Sequence, residues 1–389
     1  MALIDNTREI LGDLVGFATV SADSNLDLIA YAAERLSECG ASIHIQRDET
    51  GAKANLFATI GPETDGGIVL SGHTDVVPAD ETEWTSDPFQ LRENDGLLYG
   101  RGTCDMKGFI AAALAVAPAF AAHELKKPVH FAFTFDEEVG CLGARQLVDY
   151  LKDADFRPSS VIVGEPTGMG IIEGHKGCCE YTTEFFGMEG HGSNPDAGVN
   201  AVEYAVRYIS RLMEIGEGLK REPGLDSSFV PPWTTVQVGK IEGGSARNVI
   251  AGQCAVEWEI RPVRPGDAER IKADLAAYCE EVLLPAMQRV SSDSRIETHT
   301  IGEVEGLHPV SENDARSIVA ELTGANAFDL VSFGTEAGLF QGLGMSVVVC
   351  GPGSIEQAHK PDEFVSIPQL QSCLEMLTGL QARLRRQGN

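Results

Sequence analysis

Basic side chains are scarce: 30 lysines and arginines stand against 58 aspartates and glutamates, a formal net charge of -28. A surface of that sign repels phosphate backbones and anionic bilayers, which excludes nucleic-acid or membrane binding by charge. CxxC pairs are absent, and the nine cysteines are odd in number and scattered, apart from Cys178-Cys179. No disulfide framework is expected in a chain of this length. Apolar runs of membrane-spanning length are also missing; Ala111 to Ala122 is short and alanine-rich, the composition of a core helix. The Met1 end lacks a basic start followed by an apolar h-region, so no secretory signal is expected. Together these absences predict a reducing, cytoplasmic location. Internal repeats and low-complexity tracts are lacking too.

What is present begins with Ile68-Val69-Leu70-Ser71-Gly72-His73-Thr74-Asp75. An apolar run of strand length ends in Gly72, and His73 and Asp75 follow at a spacing of two. Residues i and i+2 of an extended chain face the same side, so both groups are aimed at one point.

The rest of the chain supplies further acidic strand ends. Helices are predicted over Thr7 to Phe17 and Leu26 to Cys39, and strands over Ala41 to Gln46 and Asn55 to Ile60. A glycine-rich loop, Gly96 to Gly108, delivers Asp105 to the start of an apolar helix from Phe109 to Phe120. Strand Pro128 to Phe135 ends in Asp136-Glu137-Glu138. Helix Gly143 to Leu151 follows, and the buried strand Ser160 to Val163 ends in Gly164-Glu165. Strands alternating with helices predict a three-layer α/β domain, which places ligands at strand ends. Past Gly177 the character changes. Strands Cys178 to Phe186, Thr234 to Ile241, Gln253 to Ile260 and Ser294 to Thr300 alternate with helices Asn200 to Ile215 and Asp267 to Leu284. This β-α-β-β-α-β order predicts a ferredoxin-like α+β domain. Ser332 to Thr335, Ser346 to Cys350 and helix Ile367 to Arg385 then resume the α/β style. The predicted domains are therefore 1–177 with 304–389, interrupted by 178–303.

His73, Asp75, Asp105, Glu137, Glu138 and Glu165 all sit at such ends, and His359 joins them from Gln357-Ala358-His359-Lys360-Pro361. Closely spaced buried carboxylates repel one another unless they bind a cation or protonate. Two histidines with several carboxylates suit zinc, cobalt or manganese better than magnesium. Two ions close together need a bridging carboxylate and terminal ligands on each side, and a carboxylate left off the metals can serve as a base. The residues alone do not assign these roles.

Four segments carry a resemblance: Ser71 to Asp75, Gly100 to Gly108, Asp136-Glu137-Glu138-Val139-Gly140 and Val163 to Thr167. They resemble the co-catalytic zinc aminoacylase/carboxypeptidase superfamily, over nearly the whole chain. The resemblance implies a three-layer zinc-peptidase-like catalytic domain with an inserted lid and dimerisation domain. It implies two divalent ions, zinc or cobalt, bridged by Asp105, with His73 and Glu165 on one and Glu138 and His359 on the other. Glu137 becomes the general base and acid, Asp75 orients His73, and the Asp105-Met106 peptide is expected to be cis. Cys104 is expected to be a small residue packed behind the site, since the metal set is complete without it.

Segments Glu165 to Met169, Gly174 to Gly177, Phe333 to Phe340 and Cys350 to Glu363 resemble the acetylornithine deacetylases among the superfamily's members. The implied reaction is hydrolysis of an N-acyl amino acid amide, N-acetylornithine to ornithine and acetate. Alternatives are a deacylase of another N-acyl amino acid or diamino acid, a small-peptide carboxypeptidase, or a metabolite-binding protein without catalysis; an intact Glu137 speaks against the last. His191, in Gly190-His191-Gly192-Ser193, resembles the lid histidine that stabilises the oxyanion, often in a partner subunit of a homodimer. A substrate α-carboxylate calls for arginine. Arg261 matches the family position, and Arg247-Asn248 is a second candidate pair. Asn248 matches the family pattern, whereas an arginine at 247 departs from the deacetylases resembled. Gly334 and Thr335 are expected to line the pocket, and Glu336, in mid-loop, is expected to be solvated.

Overall fold

The protein is described by a computed structural model covering residues 2–154, 156–222 and 227–385. Residues 1, 155 and 386–389 of the expected catalytic domain, and 223–226 of the expected lid, lie outside the described residues. The chain divides into two compact units. Met1–His175, Leu307–Val331 and Thr335–Asn389 make the first; Lys176–Gly306 and Ser332–Gly334 make the second.

The first unit is built on an eight-stranded sheet. Its order is Ser42–Arg47, Ala54–Ile60, Val129–Thr134, Ile68–His73, Ser160–Pro166, Ser346–Gly351, Ile171–His175 and Phe328–Val331. The four central strands, from Val129–Thr134 to Ser346–Gly351, are mutually parallel, so their carboxyl ends share one edge. They read as continuous apolar runs because both faces are covered. Leu70, Phe131, Phe133, Ile162 and Val348 pack on one side with helices Leu3–Gly16, Lys107–Ala121 and Ile367–Leu384. Val69, Ala132, Val161, Val163 and Val349 pack on the other with helices Leu142–Asp153 and Ala337–Gly342. This is the three-layer architecture expected. The expected strand Ser332 to Thr335 is corrected: the strand is Phe328–Val331, and Ser332–Gly334 belong to the second unit. Phe328 and Asp329 are exposed at the sheet edge, so no apolar pattern marks that strand in the sequence.

The second unit is a four-stranded antiparallel sheet of Cys178–Phe186, Thr235–Gly243, Gln253–Arg261 and Arg295–Val304. Numbered along the chain, these lie in the order second, third, first, fourth, the ferredoxin-like arrangement. Helices Ala201–Leu219 and Asp267–Tyr278 cover one face, where Tyr181 and Trp258 stack with ring centroids 4.5 Å apart. The helix expected to end at Leu284 continues through a π-helical turn, Cys279–Leu283, into Leu284–Gln288. Pro285 has no N–H to return to the preceding turn, and the widened turn accommodates it.

Candidate active site

The carboxyl edge of the parallel strands gathers the predicted ligands. His73 ends its strand, Glu165 lies in Ser160–Pro166, and Asp136 to Glu138 follow Val129–Thr134 directly. Asp105 comes from the turn before helix Lys107–Ala121, and His359 from the loop between Ser346–Gly351 and Phe364–Ser366. Gly164 sets how close Glu165 comes to that helix: a Cβ there would lie 1.9 Å from the Phe109 ring. Glu137 is presented by Asp136, whose φ is +53°, in the left-handed region. The Asp105-Met106 peptide is cis.

Asp105 has one carboxylate oxygen toward each histidine. Oδ1 lies 3.0 Å from His73 Nε2, and Oδ2 lies 3.3 Å from His359 Nε2. Glu165 Oε1 is 3.6 Å from His73 Nε2, and Glu138 Oε2 is 3.1 Å from His359 Nε2. Ligand atoms of His73, Asp105 and Glu138 fall within 4.8 Å of one another, as do those of His73, Glu137 and Glu165. Glu137 thus stands beside the ligands in the same cluster.

The electrostatics are those of a site built for cations. Burial, then the Asp105 charge, pushes the Glu165 carboxyl well above its ordinary range, and burial does the same for Glu137. Glu138 is raised by burial and by Asp105. Burial acts to lower the His73 pKa, but Glu165 and Asp105 outweigh it and hold the imidazole well above its usual value. His359 is pushed up to about 10 by its hydrogen bonds to Asp105 and Glu138. Burial would raise Asp105, but hydrogen bonds from both histidines hold it well below the carboxylate range. Glu165 Oε1 is buried without a hydrogen-bond partner, an orphan acceptor between His73 and the other carboxylates. Two imidazoles and four carboxylates around such an orphan fit a pair of divalent ions, whose charge would favour ionised carboxylates and neutral imidazoles.

The supporting shell differs in one respect from the expectation for Asp75. His73 Nδ1 lies 2.9 Å from the Asp75 main-chain oxygen and 3.6 Å from its carboxylate. The carboxylate instead accepts from the backbone N–H groups of Glu137 and Glu138 and from Ser21 Oγ. Lys53, absent from the sequence reading, meets both oxygens of Asp136 at 2.5 and 2.6 Å. Cys104 is buried and directs its Sγ toward the Ser354 oxygen, and burial raises its thiol far above the usual range. The expectation of a solvated Glu336 is corrected: it is fully buried, accepting from Ser71 Oγ at 2.6 Å and Thr134 Oγ1 at 2.8 Å. Its start-of-helix position and those two hydroxyls, from strands distant in sequence, keep it inside.

Thr335 is buried in the first unit, its Oγ1 3.0 Å from His175 Nε2. The remaining substrate candidates belong to the second unit, where they form two groups. His191 is exposed; its short strand pairs with Val249–Ile250, and the Gly192 N–H donates to the Asn248 oxygen at 2.8 Å. Arg247, beside Asn248, is exposed. Arg261 is half-buried against Glu259 at 2.7 Å, and Gly334 lies against Cys178 at the start of the neighbouring strand.

Residues 69–382 match the family described as peptidase family M20/M25/M40. A protein named acetylornithine deacetylase from Myxococcus xanthus is 39% identical over 375 residues, spanning 95% of each chain. Among solved structures, an M20 family metallo-carboxypeptidase from Sulfolobus solfataricus superimposes with a TM-score of 0.76 at 18% identity, covering 98% of this chain and 99% of that one. A dinuclear metal binding peptidase from Bacillus subtilis gives a TM-score of 0.64 at 17% identity, with the same coverage.

Proposed function

The chain belongs to peptidase family M20/M25/M40, and from that premise we propose that it hydrolyses N-acetylornithine to ornithine and acetate. It is a metal-dependent amidohydrolase of the M20 fold that takes two divalent ions. The observation that carries the substrate is the relationship to an acetylornithine deacetylase, 39% identical along 95% of both chains.

Asp105, His73, Glu165, Glu138 and His359 would hold the ions in this reading, and Asp105 directs one carboxylate oxygen to each histidine. When bound, the ions polarise the amide carbonyl and make water a competent nucleophile near neutral pH. Glu137 takes one proton from the attacking water, whose oxygen adds to the acyl carbon. As the carbon–nitrogen bond breaks, the same carboxyl gives its proton to the leaving amine. Asp75 holds the Glu137 main chain in place for both transfers. His191, Asn248, Arg247, Arg261, Gly334 and Thr335 serve substrate binding, His191 as a donor to the oxyanion.

Zinc is the native metal in this reading, with cobalt as a working substitute, and the protein is cytoplasmic. No helix among the described residues is long and apolar enough to cross a membrane. Homodimerisation through the second unit completes the reading. Its support is the open edge of strand Thr235–Gly243, with Ile241 exposed on it, and exposed Val206 and Met213 on helix Ala201–Leu219.

The deciding experiment is a hydrolysis panel on zinc- and cobalt-loaded protein: N-acetylornithine, N-acetylmethionine, succinyl-diaminopimelate and a dipeptide, each with a chelator control. Chelator-sensitive preference for N-acetylornithine is expected. Preference for another member of the panel overturns the substrate, and silence across it overturns the reaction.

A further inference from the structure

Glu363 is a buried carboxylate with four donors. Its Oε1 accepts the backbone N–H of Cys104 at 2.8 Å and of Asp105 at 3.0 Å. Its Oε2 accepts the N–H of Gly102 at 3.1 Å and the guanidinium of Arg101 at 2.8 Å. Glu363 is 1% exposed and Arg101 3%, so none of these bonds is shared with bulk water. Arg101 in turn reaches the carbonyl oxygens of Pro78 and Lys360 and lies over the Trp84 ring.

These contacts join the two loops that feed the centre from outside the sheet. One carries Asp105; the other carries His359, four residues before Glu363 and itself at a φ of +61°. His73 and Glu165 lie within strands, and the Glu138 N–H is held by Asp75, but neither Asp105 nor His359 belongs to a strand. A carboxylate that gathers three amides of one loop, those of Gly102, Cys104 and Asp105, fixes the direction in which the Asp105 side chain leaves the main chain. It fixes His359 through the short span back from residue 363.

We infer that Glu363 is a positioning residue for the metal centre, which sets Asp105 and His359 at the separation two ions require. The inference rests on the reading of Asp105 as the shared ligand. Groups that orient metal ligands typically alter metal affinity by 10–100-fold.

The test is zinc affinity by chelator competition, with the absorption spectrum of the cobalt-loaded protein as a second readout. Glu363→Gln keeps the shape but presents an amide N–H₂ to donors that need an acceptor. At least one of the two ions should bind about 10–100-fold more weakly, with an altered cobalt spectrum. Glu363→Asp keeps the charge but withdraws it by one methylene, and serves if the glutamine variant fails to fold. It should lose affinity in the same direction. Arg101→Met removes the countercharge and leaves the three amides on Glu363, so its affinity should fall less than that of either Glu363 variant. Wild-type zinc affinity and cobalt spectrum in folded Glu363→Gln or Glu363→Asp overturn the inference. If wild-type protein binds two ions but hydrolyses nothing on the panel, the proposed reaction fails while the affinity comparison still decides the role of Glu363.

Discussion

The carboxylate of Asp75 accepts the backbone N–H of Glu137 at 3.0 Å. It takes the N–H of Glu138 with its other oxygen, so one side chain fixes the candidate base and a candidate ligand together. Asp75→Ala leaves those two amides and Ser21 Oγ without their acceptor. Activity should fall by about 10–100-fold, and stability by about 1–3 kcal/mol. Turnover on N-acetylornithine and a urea melt check the two parts.

Glu137→Gln removes the group that moves the proton and keeps its volume. The kcat should drop by roughly 10²–10⁴. Metal content, measured by atomic emission, should stay at two ions per chain. Loss of the metal along with the activity would reassign Glu137 as a ligand, a role its closeness to His73 and Glu165 allows.

Removing the metals should destabilise the protein. Glu165 Oε1 is buried and unpartnered among other carboxylates, and an ion would relieve that. Ligand at a hundred times its Kd contributes about 2.7 kcal/mol per site. The melting temperature should rise with added zinc and return on chelation; a melting temperature indifferent to zinc would count against the site.

His130 gives the fold an acid sensitivity away from the metals. Its ring is buried against Phe57 and Phe156, and burial lowers its pKa to about 4. The unfolded chain takes up this proton near pH 6.5 while the folded chain refuses it until about pH 4. The associated stability is therefore present above pH 6.5 and is lost as pH falls toward 4, by roughly 3 kcal/mol. Urea midpoints at pH 7, 6, 5 and 4 should show the slope, and His130→Phe should flatten it.

Gly164→Ala places a methyl group 1.9 Å from the Phe109 ring. The strand and the helix must separate, at a cost of about 1–3 kcal/mol. Because that movement carries Glu165 with it, zinc affinity should fall together with the denaturation midpoint.

The candidate site is legible because its residues sit in short local patterns: His73 and Asp75 after an apolar strand, Glu137 and Glu138 after another. The central strands were legible for the same reason, since burial on both faces makes them continuous apolar runs. Ile171–His175 falls where the chain changes character and carries no strand signal of its own, and Phe328–Val331 has no apolar pattern because half of it is exposed. Glu336 and Lys53 could not be placed from sequence: Glu336 is decided by hydroxyls on Ser71 and Thr134, and Lys53 by a carboxylate 83 residues away. Glu363 lies four residues past His359, in a segment whose local pattern speaks only for the histidine. Nothing local reveals that its four donors come from residues 101 to 105.

Strand Ser346–Gly351 lies between Ser160–Pro166 and Ile171–His175, which precede it by the whole of the second unit. On the ribosome, the flank of Ser160–Pro166 emerges long before its neighbour is made. The nascent first unit must therefore wait with an unpaired parallel edge while an entire other fold is synthesised, and a chain stalled in that interval offers that edge to any passing strand. His359 emerges after the missing strand, so with His359 as a ligand, as proposed, an unfinished chain cannot assemble its full ligand set, and metal capture becomes a late event in the life of the polypeptide.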